Sequence, residues 1–389
     1  MVTREFLVSE ARRIGEEVAA KWADEVDRDG RFPAETVAEL RTSGLLGAMV
    51  PARWGGAGAS VQEMSGAISA IAEHCASSAL VLAMHQIQIA CLAGHGTDAA
   101  RDLLLPRVVA GELLIANANS EVGLGGERRS SGCALEPSEI GFRLDKQAST
   151  VSYGEYADAI MATARRAEDS APHDQVMAIC VRPDMELVST GSWDTLGLRG
   201  TCSRPGRLTA DVPAALVITD YADVFVQTSL PVSLVLLGSV WMGIAEAAAR
   251  RAHSSVRAQA RKARAQVNAG SASAPSMGAF RLAELSTVLY QMRDVLGMAA
   301  LEYERVKGTP EVESLQFTAR MDTLKLSASG FVIDIVLRSM AICGLPSYMN
   351  GSPSSMARLV RDALAAPLMI NNDRSLQASA QTMLIRKEL

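Results

Sequence analysis

Apolar residues recur at intervals of three and four from Leu7 through Ala11, Ile14, Val18 and Trp22, which is one face of an amphipathic helix. Pro33 stands where it can open a second helix, and Gly44 where it can close one. The breaker-rich loop "PARWGGAGAS" comes next. Apolar helices are then predicted over 61–74 and 80–95, the second ended by Gly96. Thr97 and Asp98 begin another that Gly111 stops. Residues 1–113 are therefore expected to form an N-terminal helical domain.

The pattern changes at Leu114. Up to about Asp220 the apolar runs are short and bounded by Gly, Ser and Pro: "ELLIANANS", "GFRLDK", "ADAIMATA", "QVMAICV" and "LTADV". Such runs read as strands of a small sheet or barrel, so residues 114–222 are expected as a middle, β-barrel-like domain. Helical periodicity returns near Phe225 and holds to the end, broken by the surface loop "AQVNAGSASAPS". Residues 223–389 are expected as a C-terminal helical bundle. The fold class is thus α+β and multidomain. Grouped strands argue against a doubly wound sheet, and no GxGxxG follows a strand to support a Rossmann nucleotide site.

A chain of 389 residues has ample core for three such parts. Although 48% of it is apolar, no run reaches the ~18 uninterrupted apolar residues of a membrane span, and the charged start "MVTREF" lacks a secretory signal. No membrane is expected. The six cysteines stand singly, so neither a disulfide framework nor a zinc site is expected, and the expected location is cytoplasmic. A net charge of −5 gives no reason to expect nucleic acid.

Four segments, in order, carry a resemblance: "GLLGAMVPARWGGAG", "NSEVGLG", "SWDTLGLRGTCS" and "ICGLPSY…RLVRDALAA". Together they resemble the glycine loop, the Thr-Glu-Pro-Gly-x-Gly turn, the end of the β domain and the last helices of the acyl-CoA dehydrogenase superfamily. The resemblance implies an N-terminal helical domain, a β domain and a C-terminal four-helix bundle. It also implies a homodimer or homotetramer, with FAD, or FMN, between the β domain and the bundle.

Carried over by position, the strand whose backbone holds the flavin pyrimidine ring is Asn119, Ser120 and Glu121, with Gly125 of the Gly-x-Gly after it. Ser152 in "STVSYG" takes the place of the hydroxyl that bonds flavin N5, a position where hydrogen bonding changes on reduction. Thr150 replaces the Trp that packs on the ring, and Gly126 replaces the Ser that contacts the diphosphate. The run that holds the adenosine half reads Ala341 to Ser347 and retains Gly344. The diphosphate-binding arginine motif is blurred to "QARKARAQ", where Arg261 has Arg257, Lys262 and Arg264 as neighbours. The ring end is kept and the ADP end eroded.

Dehydrogenation of an acyl thioester needs a carboxylate to remove the α-proton. Its usual place falls here on Ile370, with Asn371 and Asn372 behind it; the alternative place falls close to Ser233. Neither is acidic. Asp373 is the nearest carboxylate, with a helix cap as its other reading, and His85 is the imidazole best placed to face the pocket, with a core position as its other reading. The resemblance implies a flavin-dependent dehydrogenase acting on an acyl thioester of coenzyme A or an acyl-carrier protein, with a displaced or absent base and an electron acceptor. Two alternatives stay open: a flavin monooxygenase supplied by a flavin reductase, and a non-catalytic acyl-binding homologue. The lack of His after His253 counts against the monooxygenase.

Overall fold

A computed structural model describes residues 4–124, 127–266 and 276–385. Helices α1 (Leu7–Ile14) and α2 (Ala20–Asp29) are joined by a π-turn at Gly15–Ala19. The π-turn adds a residue to the helical repeat and rotates α2 relative to α1. Leu7, Ala11 and Ile14 are buried, but beyond the turn Ala19, Ala23 and Val26 take over. Val18 and Trp22, expected on the buried stripe, are only half-buried. Helix α3 (Ala34–Ser43) ends at Gly44 with φ +83°. Helix α4 (Val61–Ala72) opens on a reciprocal Ser60–Glu63 capping box. Helix α5 (Ala76–His95) is buried almost all round. Thr97 caps α6 (Asp98–Val109), its hydroxyl accepting the Ala100 N–H at 3.0 Å.

The middle of the chain holds β1 (Ile115–Ala118), β2 (Glu136–Ser138), β3 (Gly141–Val151), β4 (Ala159–Arg165), β5 (Gln175–Val181), β6 (Met185–Ser189), β7 (Arg204–Pro213) and β8 (Val217–Ile218). They form two four-stranded sheets, ordered β1-β4-β5-β8 and β2-β3-β7-β6. Neither sheet closes, so the expected barrel-like domain is a pair of open sheets. Strands β4 and β5 are buried at every residue but the last, as continuous apolar runs require when both faces are covered. Strand β7 alternates buried with more exposed residues, as a half-covered sheet should. Strand β1 pairs in parallel with β4, Ile115 opposite Ala159.

Helix α7 (Tyr221–Val224) runs through a second π-turn, Phe225–Ser229, into α8 (Leu230–Gln266). Then come α9 (Met277–Val306), α10 (Leu315–Cys343), α11 (Leu345–Tyr348), α12 (Ala357–Ala363) and α13 (Asn372–Ile385). Helices α8, α9 and α10 pack on one another and α13 lies on α10, while α8 also packs on α4 and α5. The α4–α8 seam is made of small residues. A Cβ on Gly243 would stand 2.4 Å from the Ser69 carbonyl oxygen, so only glycine permits the approach. Ser69 Oγ also donates to the Ser239 carbonyl at 2.9 Å.

Three helical segments are long and apolar enough to span a membrane by length and composition: residues 76–95, 221–265 and 315–343. The apolar windows of the first two are 83% and 89% buried inside the protein, so their apolarity is spent on the core. Only 44% of the window in α10 is covered.

Candidate functional site

At the β-domain end, the β3–β7 ladder slips between Ala148 and Val151. A bulge of this kind re-aims side chains, and it falls on Thr150. Ser120, just past β1, is tied to it. Ser120 Oγ accepts the Thr150 N–H at 3.2 Å and lies 3.0 Å from both the Thr150 carbonyl and hydroxyl oxygens. Beside it Asn119 is buried, and its Oδ1 has no hydrogen-bond partner among the described residues. A buried acceptor left open calls for a donor, and a flavin ring N–H is one.

Ser152 begins a chain of hydroxyls. Its Oγ is 2.8 Å from Ser203 Oγ, which is 2.8 Å from Thr201 Oγ1, which donates to the Leu198 carbonyl at 2.9 Å. The carbonyl accepts only, which fixes the direction: Thr201 donates to it, Ser203 to Thr201 and Ser152 to Ser203. Ser152 is left with lone pairs to offer a ligand. It can therefore accept from a protonated N5 but not donate to a bare one.

Glu121 has an inward role. Its carboxylate takes Lys146 Nζ at 3.1 Å, Ser131 Oγ at 2.8 Å and the N–H groups of Gly132 and Cys133 at 3.1 and 2.8 Å. Burial alone would raise its pKa; Lys146 and these donors outweigh it and hold the carboxyl below the usual range. Asn119–Glu121, expected as a strand, lies past the end of β1 as loop; the Glu121 side chain is spent on the loop behind it, leaving only backbone for a ligand.

The segment "SWDTLGLRG" docks on "RLVRDALAA". Asp362, fully buried, accepts the Leu198 N–H at 2.7 Å, and Arg361 bridges the Leu196 carbonyl at 3.0 Å and Asp27 at 2.8 Å. A Cβ on Gly197 would fall 2.2 Å from the Arg361 carbonyl oxygen. Burial pushes the Asp362 carboxyl up to about 6, against the pull of Arg358 and the Leu198 N–H. This clip joins all three parts of the chain and orients the turn that supports Thr201 and Ser203.

The loop after α12 carries position 370. Ile370 has φ +51°, a left-handed conformation costly for a β-branched residue. Asn371 caps α13, its Oδ1 accepting the Asp373 N–H at 2.7 Å. Asn372 Oδ1 accepts from Lys325 Nζ at 2.5 Å, and Lys325, fully buried, also bonds the Ala366 carbonyl at 3.0 Å. Burial pushes the Lys325 amine down to about 8. Asp373 is exposed in the first turn of α13, so the expected carboxylate points away from the interior.

His85 is corrected too. Its Nδ1 accepts the Ile115 N–H at 3.0 Å, which leaves Nε2 to donate to the Leu46 carbonyl at 3.1 Å. It is fully buried, and burial pushes its pKa down to about 4. Both nitrogens are spent, so it is a neutral strut between α5 and β1. At the ADP end, Arg261 is exposed near the end of α8, and Gly344 ends α10 with φ +68° and open space around it. Gly125 and Gly126 lie outside the described residues. Ser233 is buried, its hydroxyl donating to the Ser229 carbonyl.

Sequence reading missed Lys146 and Lys325, whose importance comes from burial rather than from a motif, and the half-buried Arg128. It also missed a linked group at the end of α5. His95 stands between Asp223 at 3.1 Å and Thr228 at 2.8 Å, and lines a cavity of about 250 Å³ with Arg101 and Asp220.

Residues 3–112 match the family described as acyl-CoA dehydrogenase, N-terminal domain. The structure superposes on butyryl-CoA dehydrogenase from Megasphaera elsdenii with a TM-score of 0.82, at 21% identity over 98% of both chains. The chain belongs to the acyl-CoA dehydrogenase superfamily. Within it, the chain is 25% identical to an acyl-CoA dehydrogenase of Bacillus subtilis, over 88% of this chain and 87% of that one. It is equally similar, at 25% over 88% and 84%, to the amino sugar nitrososynthase DnmZ of Streptomyces peucetius. The match to the acryloyl-CoA reductase (NADH) of Anaerotignum propionicum, 32% identical, spans about a third of either chain. FMN-bound TdsC from Paenibacillus sp. A11-2 superposes with a TM-score of 0.81 at 20% identity over 97% of both chains. Its relatives by sequence therefore include both an acyl-CoA dehydrogenase and a nitrososynthase, and its fold is shared with TdsC, a dibenzothiophene monooxygenase.

Proposed function

We propose that this protein is a flavin-dependent oxidoreductase of the oxygenase type, acting without a carboxylate base. One observation carries the reading. Among the described residues the loop at position 370 offers Ile370, Asn371 and Asn372; both amides are spent on structure, and the nearest carboxylate, Asp373, faces solvent. Removal of an α-proton has no group to perform it there.

The flavin, FAD or FMN, would lie against Asn119, Ser120, Thr150 and Ser152, and bound there it supplies two-electron redox chemistry and reaction with oxygen. Asn119 Oδ1 offers a buried acceptor. Ser152, its proton committed to Ser203, offers an acceptor where N5 of a reduced flavin carries a proton, which favours holding that form ready. Electrons would come from outside, so a flavin reductase is the expected partner. The half-covered α10, with exposed Tyr290 and Met298 on α9 and Leu337 on α10, supports a homodimer or homotetramer. Six free thiols suit the cytoplasm.

The dehydrogenase reading keeps one support, the match of nearly full length to an acyl-CoA dehydrogenase. Anaerobic titration separates the two. Oxygenase chemistry predicts that a panel of acyl-CoA and acyl-carrier thioesters leaves the oxidised flavin coloured, and that substrate-dependent oxygen uptake appears only with a flavin reductase and NADH. Anaerobic bleaching by a plain acyl thioester would overturn the oxygenase assignment. Purification without any flavin, and failure to take one up, would overturn both in favour of a non-catalytic homologue.

A further inference from the structure

Beyond the reading above, we infer that Arg128 binds an oxyanion of a bound ligand, so that this site takes a molecule bearing a phosphate or carboxylate rather than a plain alkyl chain. Arg128 lies on the loop leaving β1, and its guanidinium crosses from the β domain to the bundle. Nη2 donates to Ser229 Oγ at 3.1 Å, and the guanidinium carbon stands 5.2 Å from the centre of the Phe225 ring. Both partners belong to the π-turn that precedes α8. The backbone of Arg128 is fixed from behind, its carbonyl accepting from Gln175 Nε2 at 3.3 Å.

Among the described residues no carboxylate pairs with Arg128. Its neighbour Glu127 turns the other way, to the Arg129 N–H at 2.9 Å and the Arg129 guanidinium at 3.7 Å. Yet the group is partly buried, in apolar company. Burial raises the Tyr221 phenol and pushes the Cys91 thiol up to about 12, and in both cases the Arg128 charge opposes it, which places the guanidinium beside α5 and α7. A half-buried guanidinium that pairs with no carboxylate among the described residues keeps donors open for an anion.

A second group points the same way. Tyr221 is 1% exposed; its oxygen lies within reach of the Arg128 guanidinium, and its O–H finds no acceptor among the described residues. A guanidinium fork and a phenol O–H together can donate to the same oxyanion, the set that suits such a ligand. The anion could come from substrate or from the flavin's own phosphate. Titrating the flavin-loaded protein separates the two sources, since a flavin phosphate held by Arg128 would leave no anion site open.

The test is calorimetric titration of the flavin-loaded protein with inorganic phosphate, inorganic diphosphate and glutarate, with 1-butanol as the uncharged control. Wild type should bind at least one anion at one site per chain. Arg128→Gln should weaken that binding about 10–100-fold, the range of one charge-assisted contact. Tyr221→Phe should weaken it several-fold, and Arg128→Lys should keep part of it. Because the charge is unpaired when no ligand is bound, Arg128→Gln should also melt no lower than wild type in anion-free buffer; a purely structural arginine would lower the melting point. The inference is overturned if loaded wild type binds none of the anions, if Arg128→Gln binds as tightly, or if anions bind only the flavin-free protein. None of these readings depends on turnover, so oxygenase chemistry and anion recognition can fail separately.

Discussion

The two sides of the candidate flavin site differ in what they do with their polar groups. On the β-domain side, Asn119 keeps an open acceptor, and Ser152 ends a directed chain of three hydroxyls. On the bundle side, every polar side chain near position 370 is spent on structure or turned to solvent: Asn371 on a helix cap, Asn372 on Lys325, Asp373 outward. The first side is organised to hold a ligand, the second to hold a loop. A superfamily scaffold can keep its cofactor cradle while giving up the group that specialised it for proton abstraction, because the two are built by different parts of the chain.

The largest effect is expected behind the cradle. Lys146 is fully buried against Glu121, and removing one member of a buried pair costs about 3–5 kcal/mol. Lys146→Met should lose that much in urea unfolding and release flavin, whereas the double variant Lys146→Met/Glu121→Leu should recover much of it. Equal losses in both would show that the pair does not organise the strand.

His85 comes next. Replacement by Leu orphans the Ile115 N–H and leaves the Leu46 carbonyl with Gln86 Nε2 as its one remaining side-chain donor among the described residues, at 2.8 Å, a loss of about 1–3 kcal/mol. The wild type should also show a pH signature. Its folded pKa of about 4 lies below the ordinary value near 6.5, so the unfolded chain binds the proton more readily. Stability from this group is complete above pH 6.5 and is lost as pH falls towards 4. Asp362, raised to about 6, slopes the other way, gaining stability as pH falls through that value. His85→Leu should therefore flatten or reverse the acid slope of the melting temperature, and an unchanged slope would exclude His85 as its source.

The hydroxyl chain sharpens the comparison further. Ser203→Ala frees the Ser152 proton, so binding of oxidised flavin should improve several-fold relative to reduced flavin, since one such bond is worth roughly 0.5–1.5 kcal/mol. Ser152→Ala should weaken flavin retention by a similar factor. A redox titration showing the same midpoint in Ser203→Ala as in wild type would remove Ser152 from N5. The smallest effect is expected at Asp373. Asp373→Asn should change turnover less than about twofold, because an exposed carboxylate is solvated in both states. A loss of about 10²-fold or more, the scale of a general base, would restore Asp373 to the chemistry and with it the dehydrogenase reading.

Local order was legible along the chain. Helix caps at Thr97 and Gly44, the strand runs around Ile115, Ala159 and Gln175, and the three-part order arise from periodicity and breakers, which act within a few residues. The superfamily was legible as well, since its motifs are short and contiguous. Serines 120 and 152 could be singled out because a motif flanked them. What the sequence could not disclose is how a side chain spends its hydrogen-bonding capacity. His85 and Asp373 have suitable chemistry, but the first is consumed by two backbone groups from distant segments and the second faces water. Lys146 and Lys325 look like ordinary surface cations until burial makes their partners decisive. The π-turn at Gly15–Ala19 likewise moved the buried stripe off Val18 and Trp22, because the fit of α1 and α2 against their neighbours, rather than a fixed 3.6-residue period, sets which face is covered. Sequence determines which elements can form and which chemical groups are at hand; desolvation and long-range pairing, which exist only in the packed structure, decide which of those groups remain free to act.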